Sequence, residues 1–308
     1  MILRILTMMF FLFTGTLHAQ AEAEVGAEAG AKAGAEEKIN VAMTAAFVSE
    51  GGVDIYKEII EYIEKKIGIK AEFVTGLSYS TVNSMIEQGV VQIAFICGYP
   101  YVLSHDGTDT PPTKLLVAPV MDSPLYKGKP VYYSYVIVHK DSPFQSFEQL
   151  KGKIWVYNDK ISNSGYNLPR AKLLEINETN GFFEKVSQSG SHEESVRMVA
   201  EGQADASAVD SLVLDYMRNE NEAFANDVRI IEKLGPSGIP PVVYSTSYPE
   251  EKAMKIRQIL IDMKDDPEGQ KILHKAYLKE FVLVDDALFD DIRKDHQMAV
   301  KANFMEIK

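Results

Sequence analysis

Two hydrophobic periods alternate along this chain, and the switches between them predict a layered α/β protein. INVAMTAAF (39–47) reads as a buried strand. GVDIYKEIIEYIEKKIG (52–68) sets Ile55, Ile59, Ile60 and Ile63 on one helical face before closing on Lys-Lys-Ile-Gly. KAEFVTG (70–76) is a second strand, STVNSMIEQG (80–89) a short helix closed by glycine, and VVQIAFI (90–96) a third strand. That order is the pattern of a mainly parallel sheet with helices on its faces. A second series opens with the strand VYYSYVIVHK (131–140), a short helix in SFEQLKGK (146–153) and a strand in KIWVYN (153–158). Helices over 167–177 and 193–202 and a strand over 204–210 complete it. Beyond the strand VVYSTS (242–247) the pattern is helical, over 249–264, 267–280 and 286–302.

An internal echo points to two related lobes. SMIEQGVVQIAFIC (84–97) and RMVAEGQADASAVD (197–210) share a helix, a glycine and a strand, with equal spacing from Gly89 to Cys97 and from Gly202 to Asp210. We expect lobe 1 over 38–133 plus 240–308 and lobe 2 over 134–239. The chain would cross between them near Tyr133–Val136 and Ile239–Val243. Open α/β sheets bind ligands beyond the carboxyl ends of their strands, where Cys97 and Asp210 both stand.

Composition changes the picture at the N-terminus. MILRILTMMFFLFTGTLHAQA (1–21) has one early arginine, an apolar run shorter than the roughly 20 residues of a bilayer span, and a small-x-small ending, Ala19-Gln20-Ala21. It predicts a secretory signal peptide cleaved near Ala21 and a periplasmic protein. The Ala/Glu/Gly stretch at 22–37 reads as a flexible linker. A net charge of −12 argues against nucleic acid and anionic membranes as partners. The single cysteine, Cys97, excludes an internal disulfide, and the six histidines form no His-x-x-x-His pair. Neither a metal site nor a cofactor is expected.

The candidate chemistry centres on NDKISNSGYNLPRAKL (158–173), which follows a strand and opens a helix. It is either an ordinary N-cap turn or an anion cradle. A helix start leaves about four backbone N–H groups unpartnered and carries roughly half a positive charge, so it binds an oxyanion without any lysine. Ser162 and Ser164 would add hydroxyl donors, and Gly165 would allow close approach and positive φ. Tyr99 and Tyr101 flank Pro100 after a buried strand, where aromatic residues can close a cleft over a small ligand. Ser49, in the first strand–helix loop, is a second donor candidate, and Glu50 beside it could read an amine. Cys97 is either a small buried strand residue or a thiolate for a soft species such as trivalent arsenic.

Four stretches carry a resemblance: FICGYPYV (95–102), SYVIVHKDSPFQSFEQLKGKIWVYND (134–159) with SNSG (162–165), GSHEESVRMVAEGQADASAVDS (190–211) and GPSGIPP (235–241). Their order and spacing resemble the periplasmic phosphate/phosphite/phosphonate-binding proteins of ABC importers. The resemblance implies a type II solute-binding fold, with a ligand cleft between two α/β lobes. In that family a Ser/Thr-rich run ending in Ser-Gly grips the phosphorus oxyanion, which implies Ser162, Asn163, Ser164 and Gly165 here. It further implies His192 as the pocket histidine, Tyr99 or Tyr101 as the pocket aromatic, and Asp210 as the carboxylate at a strand end. By its residues alone Asp210 could equally cap the helix over 211–217. Asn163 departs from the Ser or Thr of many members, which leaves phosphate, phosphite and phosphonate open as cargo.

The expected function is therefore capture of a small phosphorus oxyanion for an ABC permease, by a monomer. The alternative is a sensor module that reports an oxyanion, or arsenite through Cys97, to a histidine kinase ectodomain. Ser164, His192 and Asp210 could be written as a hydrolytic triad. With no Gly-x-Ser-x-Gly elbow in the chain, no catalytic residue is expected.

Overall fold

The computed structural model describes residues 38–44, 52–74 and 78–308. The expected signal peptide and linker, and the candidates Ser49 and Glu50, lie outside them. Eleven strands among the described residues form two sheets. The first contains β1 (Lys38–Met43), β2 (Lys70–Val74), β3 (Ile93–Phe95), β4 (Thr113–Met121), β10 (Val242–Ser245) and β11 (Leu278–Val282), in the order β11-β4-β10-β3-β1-β2. The second contains β5 (Val131–His139), β6 (Ile154–Tyr157), β7 (Lys185–Gln188), β8 (Ala206–Asp210) and β9 (Val228–Gly238), in the order β7-β6-β8-β5-β9.

Nine α-helices flank the described sheets: α1 (Val53–Ile67), α2 (Tyr79–Glu87), α3 (Gly98–His105), α4 (Leu168–Glu175), α5 (His192–Ala200), α6 (Ser211–Asn219), α7 (Glu250–Asp262), α8 (Pro267–Lys275) and α9 (Asp290–Lys301). In α1 the face that turns inward carries Tyr56, Ile59, Ile60, Tyr62 and Ile63, and the helix stops at Gly68, whose φ of 71° suits a left-handed cap. No helix of the described residues is long and apolar enough to cross a membrane.

Both sheets are mixed, where the helix–strand alternation led to an expectation of mainly parallel ones. β1 and β3 run parallel, as do β6 with β7 and β8. The strands that carry the chain between sheets, or return it, pair antiparallel: β10 with β3 and β4, and β5 with β8 and β9. The chain leaves the first sheet after Met121 and enters the second at Val131, then returns between Gly238 and Val242. The first crossing therefore precedes the expected Tyr133–Val136, which lies inside β5. A small cluster of Ala118, Tyr126, Tyr132, Leu212 and Ile239 packs around the crossings. Phe304 and Ile307, near the C-terminus, bury in the core beneath the second sheet.

The internal echo has a structural basis. Gly89 and Gly202 both follow a helix with φ near +70° (71° and 70°). Asp210 ends its strand and Cys97 stands two residues beyond the end of β3, and both occupy the N-cap of the next helix, α6 and α3.

Candidate functional site

The chain leaves β6 through Asn158 and Asp159 and enters a wide turn over Asn163–Asn167 that runs directly into α4. The turn closes with Asn167 N–H donating to the Ser162 carbonyl (3.0 Å), one residue wider than an α-helical bond. Ser162 caps it by accepting from Gly165 N–H at 3.1 Å. Asn163 N–H is left with a weak acceptor, Cys97 Sγ, at 3.4 Å. Gly165 is excluded from the positive-φ glycines, so conformational freedom is not its role, contrary to expectation. A Cβ there would sit 1.8 Å from Asn158 Oδ1 and 3.3 Å from Ser162 Oγ. Close approach is what requires glycine.

The structure brings Ser162, Asn163, Ser164, His192 and Asp210 together, each at most 1% exposed. Strand register explains how. Ser134 of β5 lies directly opposite Asp210 of β8 and donates from Oγ to the Ser164 carbonyl at 2.6 Å. His192 opens α5, and its Nδ1 accepts the Asp210 backbone N–H at 3.3 Å. The imidazole therefore carries its proton on Nε2, which stands 3.5 Å from Ser164 Oγ. Burial lowers the His192 pKa to about 3, so the ring is neutral. Ser164 Oγ donates to Asp210 Oδ2 at 3.4 Å, while Asp210 Oδ1 caps α6 by accepting Leu212 N–H at 2.8 Å. Burial drives the Asp210 carboxyl well above the ordinary aspartate value, although those two donors act in the opposite direction. Both Ser164 contacts are long, which leaves the hydroxyl capacity for a third partner.

Asn163 serves a purpose that its local sequence conceals. Its amide donates to Tyr132 hydroxyl (3.0 Å) and Ser237 Oγ (2.9 Å), a directly opposed pair on β5 and β9. Its Oδ1 accepts from Asn167 Nδ2 at 3.0 Å. The side chain thus ties the turn to both strands beside the lobe crossings. Every polar atom of that amide is spent on protein.

Aromatic residues do surround the cluster, but they are not all the expected ones. Tyr101 donates to Asp286 Oδ1 at 2.9 Å and stacks near His105, away from the turn. Tyr99 accepts from Arg170 Nη2 (3.0 Å) and pairs with His296 Nδ1 (2.8 Å). Its hydroxyl reaches the cluster through Arg170, which also bonds Asn167 Oδ1 at 2.7 Å. The tyrosines that do adjoin the turn come from elsewhere. Tyr79 hydrogen-bonds the Ser162 side chain and accepts from Asn158 Nδ2 at 3.2 Å. Tyr56, Tyr79 and Tyr132 all have hydroxyl pKa values raised first by burial and further by Asp210 nearby. They lie on helix and strand faces with no local motif, so only their aromatic character was visible in the sequence. Asn158, ending the KIWVYN strand, is the one missed partner whose position there could have been noticed.

Cys97 is 1% exposed, and burial pushes its thiol up to about 12. It is a neutral packing group that touches the turn. Among the described residues no group of three or more His, Cys, Asp or Glu side chains converges to hold a metal ion.

The whole chain, beyond this buried polar cluster, can be compared with known proteins. The model of the phosphonate ABC-transporter periplasmic substrate-binding protein family matches residues 41–289. The chain is 27% identical over 201 residues to the phosphate-import protein PhnD of Mycolicibacterium smegmatis, covering 61% of each protein. It is 22% identical over 220 residues to the phosphonates-binding periplasmic protein of Escherichia coli, covering 70% of this chain and 63% of the relative. It thus spans less than two thirds of the length of each of these two relatives. In fold it is similar to PhnD1 from Prochlorococcus marinus in complex with methylphosphonate, with a TM-score of 0.74 at 14% identity, over 87% of this chain and 99% of that one.

Proposed function

The chain belongs to the family of phosphonate ABC-transporter periplasmic substrate-binding proteins, and from that premise we propose that it captures a small phosphorus oxyanion for import, at the turn Ser162–Gly165. The carrying observation is the convergence of that turn with His192 and Asp210 in a buried polar cluster without a single lysine or arginine ion pair among the described residues. An oxyanion oxygen would take the Asn163 N–H from its weak sulfur acceptor and share the Ser164 hydroxyl. His192 Nε2–H would supply a neutral donor. The Asp210 carboxyl would hold or accept the proton of a monoprotonated ligand.

We take the two sheets with their helices as lobes, near the expected 38–133 plus 240–308 and 134–239, with the first crossing at 122–130. Ligand would draw the lobes together by hinge motion there, and a monomer docking on an ABC permease follows from that reading. The three side chains do not form a catalytic relay. His192 Nδ1 accepts a backbone N–H rather than donating to a carboxylate that would orient the ring, and Ser164 donates to Asp210 rather than to histidine. We therefore assign no catalysis to them. A thiolate sensor at Cys97 finds no support in a thiol held neutral by burial.

The test is a melting panel of phosphate, phosphite, methylphosphonate and 2-aminoethylphosphonate. Ligand at about 100 times Kd should add roughly 2.7 kcal/mol to stability. Ser164→Ala should lower affinity by about 10- to 100-fold, since a hydrogen bond to a charged ligand is worth about 1.5–3 kcal/mol. No stabilisation by any of the four, or full stabilisation in Ser164→Ala, would refute the assignment.

A further inference from the structure

A cavity of about 430 Å³ lies away from the oxyanion turn, between the two sheets. Its first-sheet wall includes Tyr56, Met121 and Tyr277, and its second-sheet wall includes Tyr135, Tyr216 and one face of α6 around Asp215. The volume is that of a small-molecule site, and interfaces between lobes are where such sites form.

The chemistry inside is directional. Tyr126 and Tyr135 both donate to Asp215 Oδ2, at 2.8 and 3.1 Å. Two donors on one oxygen fix the carboxylate's orientation, and among the described residues nothing donates to its Oδ1. No lysine or arginine forms an ion pair with Asp215 among the described residues, although Arg218 and Lys233 also line the cavity. Arg218 gives Nε and Nη2 to the carbonyls of Ala225 and Val228 (3.3 and 3.0 Å), so Nη1 is the nitrogen still open. Lys233 Nζ stands 5.1 Å from the Tyr135 ring centre. Tyr216 and Tyr277 meet edge to face, centroids 5.8 Å apart, and close one side with aromatic surface. Asp122, the remaining acid on the lining, is exposed at the rim.

We propose that this cavity is a second ligand site, for a small zwitterion: an ammonium group at Asp215 Oδ1 against tyrosine faces, and an anionic group at Arg218 Nη1 and Lys233. The oriented carboxylate and the aromatic walls suit an ammonium group, by charge and by cation–π attraction. The two cations on the same second-sheet wall, Arg218 on the helix of Asp215 and Lys233 opposite Tyr135 in the strand register, disfavour a ligand that carries only a positive charge. Its charged groups all lie outside the oxyanion turn, although Tyr56 borders both places, and the proposal does not rest on that reading.

The experiment is a melting series with glycine, β-alanine and 4-aminobutanoate at millimolar concentration, beside ethylamine and acetate as singly charged controls. At least one zwitterion should raise Tm by about 2–4 °C or more, and more than either control. Asp215→Asn keeps an acceptor oxygen for both tyrosine hydroxyls, so the variant folds, yet it should abolish the rise. Ser164→Ala should leave the rise unchanged while weakening the response to phosphonate. The proposal is overturned if no zwitterion raises Tm, if the controls match it, or if the rise survives in Asp215→Asn.

Discussion

Gly165→Ala should leave the protein unable to grip an oxyanion and measurably less stable. The new Cβ would overlap Asn158 Oδ1 (1.8 Å) and crowd its Cγ at 3.0 Å. Asn158 is fully buried and donates to Tyr79, so it has no open space to retreat into. Overpacking of this kind costs about 1–3 kcal/mol. The turn must open or Asn158 must leave Tyr79, and either movement displaces Asn163 N–H and the Ser164 hydroxyl. Losing two hydrogen bonds to a charged ligand corresponds to about 100-fold or more in affinity. Calorimetric titration with methylphosphonate and a melting curve of the free protein read both effects. Wild-type affinity in Gly165→Ala would mean that the ligand binds elsewhere.

Asp210→Asn should do the reverse to the free protein and stabilise it in alkaline solution. The buried carboxyl holds its proton to higher pH than an aspartate in the unfolded chain, whose ordinary value is 3.8. Stability present below that value is therefore lost as pH rises through and beyond it. Asparagine carries no charge and keeps an oxygen for the Leu212 N–H cap. At pH 8 the variant should gain about 1 kcal/mol or more, roughly 2–4 °C in Tm at this chain length. The gain should vanish near pH 4. His192 acts on the other limb: with its pKa lowered to about 3, stability is lost as pH falls from 6.5 towards that value. Because that loss is common to both proteins, it cancels in the comparison. The same substitution removes the acceptor for a ligand proton, so stabilisation by phosphonate should shrink as the free protein gains. A Tm difference independent of pH would show that Asp210 folds with an ordinary pKa.

The parts of this architecture that repeat at short range were legible in the residues. The alternation of periods located most helices and most strands, though not α3 (Gly98–His105), and the Gly89–Cys97 and Gly202–Asp210 echo located two residues that became helix caps. Four strands were not visible. β4 reads TKLLVAPVM, an unbroken apolar run with Pro119 inside it, and β11 reads as the end of a helix. Tyr277, with a φ of 55°, breaks the chain between α8 and β11, a tertiary choice that periodicity does not report. In SFEQLKGK only Phe147–Leu150 makes a single turn of 3-10 helix.

The site divides in the same way. Ser162, Ser164 and Gly165 announced themselves because an N-cap, a hydroxyl and a glycine before a helix are local signals. His192 and Asp210 stand at a helix start and a strand end, and register brings them together. Tyr79, Tyr132 and Ser237 join from distant segments through hydrogen bonds that no spacing encodes. Tyr99 and Tyr101 had suitable chemistry, but α3 turns their hydroxyls towards α9 and Asp286. Asn163 shows the difference most clearly. Its identity suggested a missing ligand hydroxyl, whereas its amide is occupied by Tyr132, Ser237 and Asn167, so only its backbone N–H, now on Cys97 Sγ, is left for the ligand we propose.

The central claim is therefore about backbone amides, and a titration of ¹⁵N-labelled protein with methylphosphonate tests it most directly. The amide signals of Asn163, Ser164 and Gly165 should show the largest shifts, with Asn163 moving downfield as its sulfur acceptor is replaced by a charged oxygen. Saturable binding that leaves these three amides unmoved would contradict the account.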